Sequence, residues 1–263
     1  MNPHDTTHNK IFAAYPSLHG RVIFITGGAT GIGAAMVRSF CAQGAQVAYI
    51  DLDEPAALTL NAAVEQEFGC KPWYRMVDVT VIEALQNSIR DAVSDCGGLH
   101  VLINNVANDE RHSPLDISPE YWRRCMAVNL DASFFASQTA IPFIASAGGG
   151  AIINIGSINA LLGPPNMPGY VTAKAGILGM TRALARELGT SHIRVNTILP
   201  GWVVTERQLA LWLTPDEETR WSEHVALKKR ILPDDVARLA LFLAADDSSM
   251  ITGQEVTIDA GRT

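Results

Sequence analysis

The stretch VIFITGGATGIG, residues 22–33, sets the pattern for the whole chain because it joins a strand to a helix through glycines. Residues 22–26 are short and apolar and predict a buried strand. Gly27, Gly31 and Gly33 follow, and they permit a tight turn in which the N–H groups at the start of a helix can approach a phosphate. The stretch therefore predicts the phosphate-binding turn of a parallel α/β sheet, although glycine turns also occur without a nucleotide.

The second predicted strand, residues 46–50, runs directly into Asp51. A carboxylate at this point can accept hydrogen bonds from the adenosine ribose hydroxyls of a dinucleotide, and it would repel a 2'-phosphate. No arginine follows directly to receive such a phosphate. These features favour NAD over NADP, while an aspartate that only closes a turn is the plain alternative.

A later stretch, INIGSINALLGPPNMPGYVTAKAG at residues 153–176, brings three reactive side chains together. Ser157 follows a buried strand, at the edge where open α/β sheets hold their ligands. A helical pattern begins at Tyr170, and Lys174 lies one turn later on the same face. An ammonium beside a phenol favours the phenolate, so the pair predicts a general base. At this spacing a Tyr and a Lys can also be solvated surface residues.

Composition argues against several classes of partner. The 263 residues include 27 acidic and 20 basic side chains, a net charge of −7, and no basic block, which argues against nucleic acid or an anionic membrane as partner. The four cysteines are scattered without a CxxC pair, as is typical of reduced thiols in a cytoplasmic protein. Residues 1–17 are neither a signal peptide nor a membrane span, and we expect a flexible extension there.

These motifs, in this order, resemble the short-chain dehydrogenase/reductase family over about residues 18–261. The glycine spacing is GxxxGxG rather than GxGxxG, and the zinc ligands of medium-chain dehydrogenases are not found. The family usually reads NNAG where this chain reads NNVA, with Val106 and Ala107 as the departures. The resemblance implies a single doubly wound Rossmann domain of the α/β class over residues 18–263, with a mostly parallel seven-stranded sheet.

The same resemblance implies roles for individual residues. Ser157 would hold the substrate oxygen, and Asn129, in the sequence VNL, would position a water that links Lys174 to solvent. The DVT at residues 78–80 matches a turn that contacts adenine, and the PGxxxT motif at residues 200–205 matches one that faces the nicotinamide. With NAD as cofactor and no metal, the implied cofactor-binding residues are Gly27, Thr30, Gly31, Ile32, Gly33, Asp51, Asp78, Val79, Asn105, Val106, Ala107, Tyr170, Lys174, Pro200, Gly201, Val203 and Thr205.

The loop NDERH, residues 108–112, comes directly after the fourth predicted strand and should lie at the mouth of the site. Hydroxyl-rich ligands need many donors and acceptors, which this loop offers, although charged loops are commonly only solvated. An indole ring could pack on the C–H face of a sugar. The expected substrate contacts are Asn108, Asp109, Arg111, Ser157, Asn159 and Trp202.

Five segments, AAYPSLHGR, NDERH, TRALARELG, LTPDEE and IDAG, resemble bacterial aldose 1-dehydrogenases of the D-xylose type within this family. That resemblance implies oxidation of the C1 hydroxyl of an aldose, such as D-xylose or L-arabinose, to the lactone. A dehydrogenase or reductase of another sugar acid, polyol, secondary alcohol or 3-oxoacyl substrate stays open. So does a non-catalytic dinucleotide-sensing module, which would be free to lose the catalytic residues.

Two further expectations concern the second half of the chain. Residues 203–232 are irregular and rich in charge, which favours a lid over the substrate, with a surface insertion as the alternative. Small residues on the helix that carries Tyr170 would let another helix approach closely, and the resemblance implies a homotetramer. These small residues are Ala173, Ala175, Gly176 and Gly179.

Overall fold

Seven short segments pair side by side into one sheet in the structure, a computed structural model that describes residues 12–263. All neighbouring strands are parallel, in the order β3-β2-β1-β4-β5-β6-β7. The order reverses between β1 and β4, which opens a crevice at the carboxyl ends of these strands. The predicted doubly wound sheet is confirmed, and it is wholly parallel. The strands are β1 (Val22–Thr26), β2 (Gln46–Asp51), β3 (Trp73–Met76), β4 (Val101–Asn104), β5 (Gly150–Ile155), β6 (Ile193–Pro200) and β7 (Glu255–Ile258).

Helices cover both faces of the sheet. Helices α1, α2 and α10 contribute to one buried apolar cluster, and α3, α5 and α7 contribute to the other. Their bounds are α1 (Gly31–Ala42), α2 (Glu54–Phe68), α3 (Ile82–Cys96), α4 (Pro119–Met126), α5 (Ala132–Ser146), α6 (Asn159–Leu162), α7 (Pro168–Leu188), α8 (Glu206–Leu211), α9 (Pro215–His224) and α10 (Pro233–Ala244).

The central strand β1 explains why the strands read as continuous apolar runs. Ile23 and Ile25 pack into the cluster on one face, and Val22 and Phe24 pack into the cluster on the other. Successive side chains of a strand point to opposite faces, so a strand covered on both sides must be apolar at every position. Burying each such side chain contributes about 1.5–3 kcal/mol, which holds the ends of the strands in place for the site.

The helix that carries the predicted base begins at Pro168, two residues before the predicted start at Tyr170. Proline is well suited to the first turn of a helix because its missing N–H group has no partner there. Tyr170 therefore still lies in the first turn, with Lys174 one turn later. Helix α4 begins as the sequence indicates, since the Ser118 hydroxyl accepts from the N–H group of Tyr121 at 3.2 Å. The amphipathic helix α3 was not predicted.

Residues 1–11 of the predicted flexible extension lie outside the described residues. The next residues contact the folded chain: the N–H group of Tyr15 donates to Gln43 Oε1 at 2.7 Å, and the guanidinium of Arg238 lies 4.3 Å from the ring centroid of Phe12. Between residues 12 and 263, no helix combines the length and the apolar character needed to cross a membrane.

Candidate active site

A cavity of about 840 Å³ opens at the carboxyl ends of the strands, where the strand order reverses. Its walls come from the loops after β1, β2, β4, β5 and β6, from α8 and α9, and from the chain terminus at Arg262. Such a volume is large enough for a small organic ligand or cofactor. All but three of the residues predicted for the site come together here, from sequence positions as far apart as Gly27 and Thr205.

The glycine turn after β1 forms a close-packed cradle at one end of the cavity. A Cβ atom on Gly33 would lie 1.8 Å from the carbonyl oxygen of Gly27, and Gly27 itself has φ of 71°. Asn105 Nδ2 donates to that same carbonyl at 2.8 Å, which ties the turn to the loop after β4. Side chains are excluded at these positions, so the backbone can approach a ligand closely, as a pyrophosphate requires.

The loop after β4 keeps its anchor despite the departures at Val106 and Ala107. The hydroxyl of Thr26 accepts from the N–H groups of Asn105 at 3.0 Å and Val106 at 3.3 Å. The Val106 side chain packs against the cradle, because a Cβ on Gly27 would meet its Cγ2 atom at 2.9 Å. All three loop residues line the cavity, so the departure from NNAG leaves the loop in place beside the cradle.

Asp51 both lines the cavity and closes a turn. Its Oδ2 atom accepts from the N–H group of Ala29 at 2.8 Å, and its Oδ1 atom accepts from Leu52 at 2.7 Å and Asp53 at 3.1 Å. Asp51 therefore does stabilise a turn, as the alternative interpretation of the sequence expected. A carboxylate offers about four acceptor positions, so these three bonds leave capacity for a ribose hydroxyl.

Three of the predicted site residues do not line the cavity. Asp78 is exposed, and its Oδ1 atom accepts from the main chain and hydroxyl of Thr80, so it stabilises a turn. The Oδ1 atom of Asn108 accepts from Arg207 Nη2 at 2.9 Å, and Arg207 does line the cavity. Asn129 is buried beneath the site. The expected contacts of Asp78 and Asn108 with a ligand stay a prediction, since both lie next to residues that line the cavity.

Asn129 lies in a π-helical turn (Ala127–Asp131) between α4 and α5. Its Oδ1 atom accepts from the N–H group of Asn108 at 2.9 Å, and its Nδ2 atom donates to the carbonyls of Asn108 at 3.1 Å and Cys125 at 3.0 Å. Irregular turns of this kind are frequent at functional sites because they change the direction of one residue. The side chain holds the start of the 108–112 loop, while the predicted water relay stays a prediction.

Ser157, Tyr170 and Lys174 line the cavity together, and all three are buried. Lys174 is 2% exposed, its Nζ atom donates to the carbonyl of Ile155 at 2.7 Å, and it lies 5.8 Å from the ring centroid of Tyr170. The Ser157 hydroxyl accepts from the N–H group of Asn159 at 3.1 Å. The loop after β5 supplies the serine and helix α7 the other two residues, as the sequence predicts.

Burial controls the acidity of this group. Desolvation raises the pKa of the Tyr170 phenol above its ordinary value of 10.0, with the Ser157 hydroxyl acting in the opposite direction and the charge of Asp109 adding to the rise. Desolvation lowers the pKa of Lys174 from 10.5 to about 8, against an opposing effect of Asp109. The net direction for Tyr170 is opposite to the sequence-based prediction, because the cost of burying a phenolate exceeds the effect of its polar neighbours.

A hydrogen-bonded chain crosses the mouth of the cavity. Trp202 Nε1 donates to Gln208 Oε1 at 2.8 Å, and Gln208 Nε2 donates to Asp109 Oδ2 at 2.8 Å. Arg207 Nη2 lies 3.6 Å from Asp109 Oδ1, and the guanidinium of Arg111 lies 4.7 Å from the ring centroid of Trp212. These contacts join the 108–112 loop to the segment that was predicted to cover the substrate.

Several wall residues were not identified from the sequence. They belong to the turn after β2, the loop before α7, the chain end, and α8 and α9 of the predicted cover, where only the segment was predicted and not its individual residues. Trp221 packs edge-on against Trp202 at 6.1 Å between ring centroids, which only the tertiary structure brings about. The missed residues with polar or aromatic side chains are Asp53, Glu206, Arg207, Gln208, Glu217, Arg220, Trp221, His224 and Arg262. Across residues 12–263, no three metal-ligating side chains form a group that could hold a metal ion.

Known proteins resemble this chain over nearly all of its length. A family model described as "Enoyl-(Acyl carrier protein) reductase" matches residues 27–263. The chain is 44% identical to the "D-xylose 1-dehydrogenase" of Caulobacter vibrioides (strain NA1000 / CB15N), covering 95% of this chain and 98% of that protein. It is 42% identical to the "Probable galactose dehydrogenase GalD" of Rhizobium meliloti (strain 1021), covering 94% and 96%.

The fold agrees with these matches. The structure of a short-chain type dehydrogenase/reductase from Mycobacterium ulcerans superposes with a TM-score of 0.89 at 25% identity, covering 95% of this chain and 91% of that one. Fold, site geometry and sequence thus point the same way, and the resemblance read from the motifs is confirmed. The chain belongs to the short-chain dehydrogenase/reductase family, oxidoreductases that act on CH–OH groups with a nicotinamide dinucleotide.

Proposed function

We propose that this protein is an NAD-dependent dehydrogenase that oxidises the C1 hydroxyl of an aldose to the lactone. The observation that carries the proposal is the convergence of Ser157, Tyr170 and Lys174 on a cavity whose other end is a glycine cradle. Identity of 42–44% to proteins named as galactose and D-xylose dehydrogenases supports a sugar as the substrate.

The cradle and its neighbours fit a dinucleotide. Gly27, Gly31 and Gly33 would hold the pyrophosphate, Asp51 the adenosine ribose, and the turn after β6 the nicotinamide. A bound NAD supplies the hydride acceptor, and its positively charged ring favours a phenolate nearby. The carboxylate of Asp51 disfavours a 2'-phosphate, which supports NAD over NADP.

The protein's own residues bind the substrate oxygen and accept the proton of the C1 hydroxyl. Ser157 donates a hydrogen bond to the substrate oxygen and orients the reacting carbon. Tyr170, as phenolate, accepts the proton of the C1 hydroxyl. Lys174 keeps a positive charge beside the phenol below a pH of about 8, where it is protonated, and it can bond the nicotinamide ribose. Asn129 would position a water that links Lys174 to solvent.

The mouth of the cavity supports a neutral, hydroxyl-rich substrate. Asp109, Arg111, Asn159 and Trp202 all line it, and they offer acceptors, donors and an aromatic face. Arg111 stacks on Trp212, and Arg220 forms an ion pair with Glu217 at 2.6 Å, so these cations already have partners. The identity to proteins named as galactose and D-xylose dehydrogenases favours an aldose over the runner-up substrates, and the retained Ser157, Tyr170 and Lys174 argue against a silent sensor.

The test is to supply D-xylose, L-arabinose, D-galactose and L-fucose with NAD and to follow NADH by absorbance. We expect NADH together with a lactone that hydrolyses to the aldonate. The proposal would be wrong if no aldose were oxidised while cyclohexanol or a 3-oxoacyl thioester turned over well. Binding of NADH without turnover of any of these compounds would favour a dinucleotide sensor.

We further propose a homotetramer and a cover formed by residues 203–232. Helices α8 and α9 of this segment line the cavity, which supports closure over a bound sugar. On α7, Ala175 and Gly179 are exposed or half-buried, and a Cβ on Gly179 would meet no atom within 4 Å, so a second helix could approach there. Light scattering at micromolar concentration should give the mass of four chains, and a monomeric mass would contradict the assembly.

A further inference from the structure

The orientation of the Gln208 side-chain amide follows from the two groups that it contacts. An indole N–H group can only donate, so the atom that faces Trp202 Nε1 at 2.8 Å must be the amide oxygen of Gln208. Its amide nitrogen must then face Asp109, where it donates to Oδ2 at 2.8 Å. These two hydrogen bonds fix the orientation of the Gln208 amide. The amide in turn fixes the orientation of the Asp109 carboxylate.

The carboxylate of Asp109 keeps acceptor capacity that its neighbours do not use. Gln208 takes one position on Oδ2, and Arg207 Nη2 lies 3.6 Å from Oδ1, beyond hydrogen-bond distance. Arg207 is 53% exposed and donates instead to Asn108 Oδ1 at 2.9 Å. The Asp109 side chain is only 22% exposed and lines the cavity that contains Tyr170. It is therefore a partly buried acceptor that faces the substrate space.

We propose that Asp109, held in place by Gln208, selects substrates with a hydroxyl on the carbon next to the reacting carbon by accepting a hydrogen bond from that hydroxyl. The inference rests on the proposed aldose oxidation and assigns the C2 hydroxyl of the sugar to Asp109. An ionised carboxylate only accepts, so it matches a hydroxyl and leaves a methylene without compensation. Gln208 is a positioning residue, because it acts on the substrate through Asp109.

Asp109 lines the same cavity as Ser157 and Tyr170, which supports a contact with a hydroxyl near the reacting carbon. Its charge acts on both Tyr170 and Lys174, so it lies within electrostatic reach of the group that takes the C1 proton. The C2 hydroxyl of an aldose is the hydroxyl group closest to the reacting C1 carbon. Trp202 lies at the other end of the same chain and can cover the C–H face of the ring.

The experiment compares D-galactose with 2-deoxy-D-galactose, which differ by one hydroxyl. In the wild-type enzyme with NAD, kcat/KM should be lower for the 2-deoxy sugar by about tenfold or more, since the lost hydrogen bond is to a charged group. In Asp109→Asn, the new amide oxygen accepts from Gln208 Nε2, and the new amide NH2 group faces the cavity. The variant cannot accept from the hydroxyl and can only donate to its oxygen through an uncharged amide. The ratio of kcat/KM for D-galactose to that for the 2-deoxy sugar should therefore fall well below its wild-type value.

Two further variants separate selection from a merely structural effect. Gln208→Met has a similar length but cannot hold Asp109, so it should also reduce the ratio, through KM for D-galactose more than through kcat. It tests the same idea if Asp109→Asn fails to fold. Asp116→Asn removes an exposed carboxylate from the same connection between β4 and α4, and it should leave the ratio at its wild-type value. Circular dichroism of each variant should match the wild type.

The outcomes are distinct. If aldoses are oxidised but the two sugars react equally well in the wild type, or the ratio is unchanged in both Asp109→Asn and Gln208→Met, the inference is wrong and the proposed function stands. If no aldose is oxidised, the proposed function is wrong and the inference falls with it. A ratio that collapses in both variants and persists in Asp116→Asn supports the inference.

Discussion

The two ends of the cavity are built in different ways. The cofactor end consists of backbone at the carboxyl ends of β1, β4 and β6, packed so closely that a single Cβ on Gly33 would come within 1.8 Å of another residue's carbonyl. The substrate end consists of side chains from the 108–112 loop, α8 and α9, joined by hydrogen bonds such as that between Gln208 and Asp109.

This difference explains why the cofactor end can be predicted from a sequence motif, whereas the substrate end can change between proteins of the same fold. Backbone contacts tolerate few residue types, so the cofactor end carries a short motif. Side-chain contacts can be exchanged without moving a strand, so the substrate end can vary within one fold. The residues proposed as catalytic, Ser157, Tyr170 and Lys174, lie between the two ends, in the loop after β5 and on α7.

The largest effect on activity should come from a substitution between the two ends of the cavity, at Tyr170. Tyr170→Phe removes the proton acceptor and keeps the ring, so kcat should fall by roughly 10²- to 10⁴-fold, while NADH binding measured by fluorescence titration changes little. Tyr74→Phe is a matched control, because the Tyr74 hydroxyl has no hydrogen-bond partner among the described residues. Substantial turnover by Tyr170→Phe would require a different base.

The next effect should be confined to the cofactor end. Gly33→Ala places a methyl group against the Gly27 carbonyl, and the resulting strain costs about 1–3 kcal/mol. Calorimetry should show NADH binding weakened by about tenfold or more, because 1.4 kcal/mol is a tenfold change. Gly189→Ala is the control, since a Cβ there meets no atom within 4 Å and φ is −58°. Equal NADH affinity in both variants would contradict the close-packed cradle.

Lys174→Met should increase the stability of the fold while it abolishes activity. The folded-state pKa of about 8 lies below the ordinary 10.5, so the unfolded chain holds this proton more tightly and the buried ammonium destabilises the fold. That penalty is fully present below pH 8 and is relieved as the pH rises from about 8 to 10.5. At pH 7, urea unfolding should show a free energy of unfolding about 1–2 kcal/mol higher in Lys174→Met, with activity lost.

The exposed Lys71→Met is the control for this change, and its stability should stay within about 0.5 kcal/mol of the wild type. If Lys174→Met unfolded at lower urea than the wild type at pH 7, the bond from Nζ to the Ile155 carbonyl would outweigh the burial cost. The penalty inferred from the lowered pKa would then be wrong.

The smallest effect should be in the choice between two cofactors. Asp51→Ala removes one partly screened negative charge, worth on the order of 1 kcal/mol against a phosphate in a site near the surface. The preference for NAD over NADP, measured as a ratio of kcat/KM values, should narrow by about fivefold. Equal efficiency of the unmodified enzyme with NAD and NADP would refute the role of Asp51 as a discriminator.

The segments that the sequence predicted well are those with local patterns. Strand β1 has its predicted bounds, and α7 begins within two residues of its prediction, because alternation and helical spacing act over short distances. The glycine turn, Ser157, Tyr170 and Lys174 could be placed for the same reason. The hydrogen bonds from Thr80 to Asp78 could not be predicted in the same way, because a motif does not say which way a turn residue points.

The sequence by itself determined the parallel α/β fold and the family, and it placed Ser157, Tyr170 and Lys174 in one cavity, since each of these depends on short motifs of residues that are neighbours along the chain. Only the tertiary structure decided the partners of Asp109, because Gln208 lies 99 residues away in sequence. It also decided that burial raises the pKa of Tyr170 although Lys174 stands one turn away. Desolvation depends on every segment that excludes water from a group, and those segments meet only when the chain folds.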